Sequence, residues 1–176
     1  LESPDREQWQ KPELIMDALG IADGSIVADL GARGGWFTAR LARRVGPNGR
    51  VYAEDIQRKM VDAITRRIQR ENLSNVTPVL GTPTNPGLPS GLDAVLIVET
   101  YPEREDPVAL FAEVARRLKP RGRVGVVDFV RGGGGPGPPP ERRVDPDAII
   151  RTARAAGLQL VSRENISPFQ FLLVFG

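Results

Sequence analysis

The feature of this chain that most constrains its fold is a regular alternation of short apolar runs with amphipathic segments. Apolar runs typical of buried strands lie at 26–30, 51–56, 76–80, 93–98 and 124–130. Apolar residues at helical spacing follow three of these runs, over 36–45, 60–72 and 108–118. Because a strand followed by a helix indicates a β-α unit, the repetition predicts an α/β fold with a doubly wound, mostly parallel sheet.

The C-terminal part of the chain ends this alternation. Asp145 can cap a helix that runs to Ala156, and Gly157 is a typical stop signal. Two strands are predicted after that helix, at 158–162 and 169–175. Their short connection favours an antiparallel pair. We therefore expect a seven-stranded sheet whose last strand runs against the others.

Length and composition favour a single domain over 1–176. Of the 176 residues, 40% are apolar and 26% are charged, which is typical of one folded unit with a sizeable core. The stretch 131–143 contains four consecutive glycines and four prolines. A segment of that composition buries no core, so it is predicted to be a flexible loop.

The residue content excludes several kinds of chemistry. The chain has no Cys and no His, so disulfides, thiolate nucleophiles, Cys/His zinc sites and imidazole catalysis are excluded, and no metal site is expected. The net charge of +2 is too small to predict nucleic-acid binding.

No apolar run has the length of a membrane helix, and the polar N-terminus is unlike a signal peptide. We expect a cytoplasmic protein with no membrane partner, although the chain begins at Leu1, which leaves a removed leader open. The oligomeric state is not predicted.

Residues suited to ligand binding follow the ends of three predicted strands. They are the glycine loop Gly31–Gly35, the pair Glu54-Asp55, and Glu99-Thr100-Tyr101. In doubly wound sheets, ligands bind beyond the carboxyl ends of the strands. The glycines let a ligand approach the backbone, and Asp55 is placed to accept both hydroxyls of a ribose. The dinucleotide fingerprint fails at Arg33 and Trp36, and no P-loop is present.

Four motifs carry a resemblance to a known family. Val27–Thr38 resembles the first motif of the class I S-adenosylmethionine-dependent methyltransferases. Three further stretches resemble their second-strand motif, fourth strand and fifth-strand approach: 49–56, 92–96 and 118–124. The nearest branch is that of the quinone-biosynthesis C-methyltransferases and their small-molecule relatives. The resemblance implies a Rossmann-like methyltransferase fold.

The resemblance also implies a cofactor, S-adenosylmethionine, and a small-molecule methyl acceptor. Trp9-Gln10-Lys11-Pro12 resembles a helix that covers the cofactor in this branch, so 1–25 is expected to be a helical lid. Glycines of the first loop would surround the methionine part, Asp55 would bind the ribose, and Ile56 would contact adenine. The cofactor-binding residues so implied are Asp29, Gly31, Ala32, Arg33, Gly34, Gly35, Asp55, Ile56, Gly81, Thr82 and Glu99.

Three positions depart from the family pattern. Relatives in this branch often have His after a Tyr that follows the fourth strand, where this chain has Tyr101-Pro102. Arg33 occupies the place of the middle glycine, where its side chain would either obstruct the methionine part or bind its carboxylate. Thr82 stands where the family usually has an acid that accepts from the adenine amino group.

Candidates for a general base are Glu99, Tyr101 and Asp128, each with a purely structural role as the alternative. Methyl transfer from a sulfonium needs little acid–base machinery, so the absence of His is compatible with an enzyme. The alternative function, motivated by Arg33 and Thr82, is a degenerate methyltransferase fold that serves as a binding or scaffold domain.

Overall fold

A computed structural model describes residues 3–101 and 105–176. Within these residues, seven strands form one sheet in the order β3-β2-β1-β4-β5-β7-β6, with all neighbours parallel except those of β7. The strands are β1 (Ile26–Leu30), β2 (Arg50–Asp55), β3 (Val76–Leu80), β4 (Leu92–Val98), β5 (Leu118–Phe129), β6 (Leu160–Asn165) and β7 (Gln170–Phe175). The predicted doubly wound sheet with a reversed last strand is confirmed.

Helices cover both faces of the sheet. They are α1 (Arg6–Gln10), α2 (Pro12–Ala18), α3 (Trp36–Val45), α4 (Arg58–Glu71), α5 (Pro107–Arg117) and α6 (Pro146–Ala155). The apolar residues of α3 that recur at helical spacing, Phe37, Leu41 and Val45, are buried against one face. Leu110, Phe111 and Val114 of α5 are buried against the other. Two apolar layers thus enclose the central strands, which explains why β4 is apolar along almost its whole length.

The strand register brings the predicted ligand-binding segments together. Leu30 at the end of β1 is paired with Glu54 of β2 and with Ile97 of β4. The loops that follow β1, β2 and β4 therefore leave the sheet at the same edge. This edge is where a doubly wound sheet binds ligands.

Strand β5 begins six positions earlier than its predicted start at Val124. The helix before it ends at Arg117, one residue before its predicted end, and the sequence that follows, Lys119-Pro120-Arg121-Gly122, is part of β5. Leu118 pairs with Leu92 before the register shifts, and a side chain at Gly122 would approach the Leu92 carbonyl oxygen to 2.9 Å. Gly122 thus permits two backbones to come close.

The loop 131–143 has a defined set of contacts. The guanidinium of buried Arg143 donates hydrogen bonds to the carbonyl oxygens of Val130 at 2.7 Å, Pro138 at 2.8 Å and Pro136 at 3.1 Å. Arg131 donates to the carbonyl oxygen of Arg143 at 3.0 Å. These contacts favour a fixed path over the mobility expected from the composition, and the predicted division of the chain stays a prediction.

The N-terminal segment contributes two short helices among its described residues. Lys11, with a φ of 50°, separates α1 from α2. Buried Trp9 of α1 packs at 6.0 Å from the ring of Phe129. Over the part of the chain that the structure describes, none of the helices combines the length and apolar character needed to cross a bilayer.

Candidate active site

A cavity of about 670 Å³ opens at the carboxyl ends of β1 and β4. Its walls come from the glycine loop, the first turns of α3 and α4, and Arg6 of α1. The volume is typical of pockets that bind small organic molecules. Of the predicted cofactor-binding residues, those that line the cavity are Asp29, Gly31, Ala32, Arg33, Gly34 and Glu99.

The glycine loop has a conformation that requires glycine at its first position. Gly31 has a φ of 69°, and a Cβ there would lie 2.5 Å from Thr100 Oγ1. The Gly31 N–H donates to Glu54 Oε1 at 3.2 Å, and the Ala32 N–H donates to the Glu54 carbonyl oxygen at 2.8 Å. The loop is therefore held at the end of β2 by Glu54, and glycine at position 31 leaves room for the Thr100 side chain.

Asp55 joins the glycine loop to the start of α4. Its carboxylate is 4% exposed and accepts the N–H of Arg33 and the N–H of Gln57, both at 3.0 Å. Each carboxylate oxygen has a second lone pair, so Asp55 keeps the capacity to accept further hydrogen bonds. Its predicted contact with a ribose stays a prediction.

Asp29 brings a buried carboxyl group to the floor of the cavity. Burial raises the pKa of Asp29 to about 7, and the hydrogen bond from Thr38 and the charge of Arg6 oppose this rise. The Thr38 hydroxyl donates to Asp29 Oδ2 at 2.7 Å. A carboxyl group with this pKa is about half ionised at neutral pH, so a bound cation would favour its charged form.

Arg33 connects the glycine loop to the end of β4. Its backbone has a φ of 53°, a left-handed conformation that side chains rarely adopt and that glycine accepts freely. Its guanidinium donates to the carbonyl oxygen of Glu99 at 3.2 Å. The residue that replaces the middle glycine of the family pattern thus places a cationic group in the cavity wall.

The side chain of Glu99 contacts Gln170 and Arg6 in the cavity wall. Its carboxylate accepts a hydrogen bond from Gln170 Nε2 at 2.7 Å and lies 3.9 Å from Arg6 Nη2. Arg6 in turn stacks at 4.1 Å over the ring of Trp36, and Arg40 stacks on the same ring at 3.5 Å. The cavity wall therefore has both signs of charge around one aromatic ring.

Three of these groups were not predicted as site residues from the sequence: Arg6, Trp36 and Gln170. Arg6 lies in the expected lid and Trp36 in the first motif of the resemblance, but neither was given a role. Gln170 is the polar residue at the start of a strand that is otherwise apolar. That residue was a usable signal, because a buried amide requires a hydrogen-bond partner.

Tyr101 and Asp128 are not among the described residues that line the cavity. The Tyr101 hydroxyl donates to Thr152 Oγ1 at 3.2 Å, and its ring packs 5.9 Å from that of Phe111, in the layer beneath α5 and α6. Asp128 is buried, and its Oδ1 accepts the N–H of Phe129. Both side chains serve packing or local hydrogen bonding in this structure, so their placement gives no support to the predicted catalytic role.

The remaining predicted residues lie beside the cavity rather than in its wall. Gly35 precedes the first turn of α3, and the Gly81 N–H donates to the Asp55 carbonyl oxygen at 3.0 Å. Ile56 is 36% exposed. The Thr82 hydroxyl is engaged in its own turn, where it accepts the Asn85 N–H at 3.0 Å. This side of the sheet edge is open, and the predicted adenine contacts stay predictions.

Comparisons with known proteins place the chain in a family. A family described as a methyltransferase domain matches residues 27–122. The chain is 32% identical over 130 residues to nocamycin O-methyltransferase of Saccharothrix syringae, which covers 73% of this chain and 44% of that protein. It is 30% identical over 122 residues to a demethylmenaquinone methyltransferase of Lactobacillus johnsonii, covering 68% of this chain and 49% of that protein. The chain thus spans about half the length of these relatives.

The fold comparison agrees with the sequence comparison. The crystal structure of a SAM dependent methyltransferase from Aquifex aeolicus superposes with a TM-score of 0.93, covering 99% of this chain and 93% of that one at 24% identity. Together with the sequence matches, this confirms the resemblance read from the four motifs. The chain belongs to the S-adenosylmethionine-dependent methyltransferase family, in which its sequence relatives include small-molecule and quinone-biosynthesis methyltransferases.

Proposed function

We propose that this protein transfers a methyl group from S-adenosylmethionine to a small molecule. The observation that carries the proposal is the cavity at the end of β1, where a glycine loop meets two carboxyl groups, Asp29 and Glu99, and two guanidinium groups, Arg6 and Arg33. The names of the relatives, which refer to nocamycin and demethylmenaquinone, support a small organic acceptor.

The residues present fit the amino-acid part of the cofactor. That part carries an ammonium and a carboxylate, and the cavity wall offers carboxyl groups for the first and guanidinium groups for the second. Gly31 and Gly34 contribute backbone without side chains to the cavity wall. Asp29 and Glu99 would hold the ammonium, and Arg33 and Arg6 would hold the carboxylate.

The adenosine part would extend towards the open side of the sheet edge. Asp55 would accept the ribose hydroxyls with its remaining lone pairs, and Ile56 and Thr82 would border the adenine. Ile56 is exposed enough to give up apolar surface to a base.

Little acid–base chemistry is needed from the protein. When bound, S-adenosylmethionine supplies a methyl group on a positively charged sulfur, so the donor carries its own activation. The chain's contribution is to align the acceptor with the donor and to exclude water, for which Trp36 and Phe37 provide apolar walls. Of the three predicted candidates for a general base, Glu99 is the one that lines the cavity, but its contacts with Gln170 and Arg6 favour binding of the donor over removal of a proton from the acceptor.

The degenerate binding domain remains the second candidate because of Arg33 and Asp55. Arg33 fills the position of a family glycine, and both oxygens of Asp55 accept backbone N–H groups of the protein itself. In this alternative, the Arg33 side chain obstructs the methionine part of the site and no cofactor binds. The two candidates therefore differ in whether the protein binds and turns over S-adenosylmethionine.

Product formation tests the proposal. The protein is incubated with S-adenosylmethionine and a panel of catechols, quinols and hydroxylated polyketides, and S-adenosylhomocysteine is measured. We expect acceptor-dependent product, reduced about tenfold or more in Glu99→Gln and unchanged in Glu164→Gln, an exposed residue of β6. Failure of the protein to bind S-adenosylmethionine would favour the degenerate binding domain.

A further inference from the structure

Two fully buried glutamines connect the N-terminal helix to the last strand of the sheet. Gln10 of α1 and Gln170 of β7 have no exposed surface. Gln10 Nε2 donates a hydrogen bond to Gln170 Oε1 at 2.6 Å, across 160 positions of sequence. Burial of an amide is unfavourable unless it is hydrogen-bonded, so such a pair stabilises the fold only as part of a satisfied network.

The glutamine pair extends at both ends to charged groups that line the cavity. Gln170 Nε2 donates to Glu99 Oε1 at 2.7 Å, and Arg6 Nε donates to Gln10 Oε1 at 3.1 Å. Arg6 Nη2 lies 3.9 Å from Glu99 Oε2, which closes a ring of four side chains. We call these four residues, Arg6, Gln10, Glu99 and Gln170, the glutamine ring.

The chemistry of the ring's charged members fixes the orientation of both amides. A carboxylate only accepts hydrogen bonds and a guanidinium only donates them. Each glutamine must therefore direct its N–H groups towards Glu99 and its oxygen towards Arg6. With both amides fixed in this way, Glu99 and Arg6 are held side by side in the cavity wall, one anionic and one cationic.

We propose that Gln10 and Gln170 are positioning residues, which hold Glu99 and Arg6 as a subsite for the amino-acid end of the ligand. The inference rests on the proposed function and adds to it: α1 forms part of the binding site through its own side chains, in addition to covering it. An adjacent carboxylate and guanidinium complement a zwitterion, whose ammonium and carboxylate are joined to one carbon. The stacking of Arg6 on Trp36 holds the cationic half of the subsite.

Two probes separate this role from a purely structural one. S-adenosylhomocysteine carries the amino-acid end, whereas methylthioadenosine has the same adenosine and thioether but lacks that end. Calorimetric titration with both is carried out on the unsubstituted protein, on Gln170→Met and on Gln10→Met. Matched controls are Gln159→Met and Gln8→Met, because both of these glutamines are exposed.

We expect each ring substitution to weaken S-adenosylhomocysteine about tenfold and to change methylthioadenosine by less than about twofold, because the lost bonds orient only the amino-acid subsite. The controls should change neither. Equal weakening of both probes would overturn the proposal, since the ring would then act on the fold as a whole. No change in either would overturn it as well.

The same titration distinguishes a failure of the inference from a failure of the proposed function. Unsubstituted protein that binds neither probe would contradict the proposed function. Binding of both probes with equal affinity would leave the proposed function in place and overturn the inference alone. If a single substitution prevents folding, Gln10→Met/Gln170→Met provides the test, because it removes both buried amides together and leaves neither amide without a partner. It should show the same selective loss of S-adenosylhomocysteine.

Discussion

Two glycine-rich loops of this molecule are held by side chains of opposite charge, one loop by acidic residues and the other by an arginine. In Gly31–Gly35, the carboxylate of Asp55 and the backbone and side chain of Glu54 accept backbone N–H groups. In the loop 131–143, the guanidinium of Arg143 donates to three backbone carbonyl oxygens. A backbone has both donors and acceptors, so either charge can organise a loop that has few side chains of its own.

The glycines of the two loops have different neighbours. A side chain at Gly31 would collide with Thr100, at the edge of the cavity. In the second loop, a Cβ at Gly135 would overlap the ring of Phe169, and one at Gly137 would lie 2.7 Å from the ring of Phe129. The first loop contributes four residues to the wall of the cavity, whereas the second closes against aromatic side chains and none of its residues lines the cavity. Substitution of Asp55 should therefore weaken ligand binding as well as stability, whereas substitution of Arg143 should lower stability alone.

The largest effect is expected for Asp55→Ala. It removes the acceptor of two backbone N–H groups and the predicted ribose contact, so we expect stability to fall by about 3 kcal/mol and S-adenosylhomocysteine affinity to fall more than about tenfold. Chemical denaturation and calorimetry measure the two quantities. Asp62→Ala, at an exposed position of α4, is the control. Unchanged affinity in a folded Asp55→Ala protein would contradict the assigned site.

Arg143→Met should reduce stability by about 2 kcal/mol, because several carbonyl oxygens lose their charged donor. Binding of S-adenosylhomocysteine should stay within about twofold, because Arg143 is not among the residues that line the cavity. Limited proteolysis should cleave within 131–143 faster than in the exposed control Arg142→Met. Equal cleavage of the two variants would mean that the loop is mobile in spite of Arg143, as its composition predicts.

Asp29→Asn tests the raised pKa of Asp29, at the floor of the cavity, through the pH dependence of protein stability. The folded pKa of Asp29 is about 7 and its usual value is 3.8, so the folded protein binds the proton more tightly and loses stability as pH rises between these values. The asparagine that replaces Asp29 in the variant does not titrate between about pH 4 and about pH 7. The stability of the variant should be close to that of the unsubstituted protein at about pH 4, exceed it by about 2 kcal/mol at about pH 5.5, and gain further up to about pH 7.

Denaturation across this pH range provides the measurement, with Asp62→Asn as the control. A difference between Asp29→Asn and the unsubstituted protein that does not vary with pH would contradict the raised pKa. In the same variant, S-adenosylhomocysteine affinity should fall at high pH, where the unsubstituted protein offers an ionised carboxylate to the ammonium.

Arg33→Gly should have the smallest effect on stability and affinity. The direction in which affinity changes distinguishes the two roles proposed for Arg33. Glycine relieves the left-handed backbone, which stabilises the protein by about 1 kcal/mol. If Arg33 binds the ligand carboxylate, S-adenosylhomocysteine affinity should fall about fivefold while methylthioadenosine affinity is unchanged. Arg33→Lys, which keeps the charge, should lose less. Tighter binding in Arg33→Gly would show that the arginine obstructs the cavity.

The sheet was predictable because its central strands are apolar runs with local stop signals, and β-α alternation determines the topology. The start of β5 was not predictable, because Pro120 and Gly122 are normal turn residues and only the approach to Leu92 makes them part of a strand. The glycine loop follows β1 and Asp55 ends β2, and both were predicted from these positions. The glutamine ring was not found, since its members are brought together only by tertiary packing between α1, β4 and β7.

The placement of Tyr101 shows the same limit. Its position after β4 suggested a place in the cavity, but its side chain packs near Phe111 and donates to Thr152 instead. The contacts of the loop 131–143 could likewise not be predicted from composition, because one arginine at its end makes all three of these hydrogen bonds to carbonyl oxygens.

The central claim is that the glycine loop and its charged neighbours form a working cofactor site. Calorimetric titration with S-adenosylmethionine, followed by S-adenosylhomocysteine, tests it most directly. We predict saturable binding of both at micromolar concentration, with affinity for S-adenosylmethionine that falls as pH drops below about 7 and Asp29 takes up its proton. No binding up to millimolar concentration would contradict the claim and would assign the protein to the degenerate binding domains.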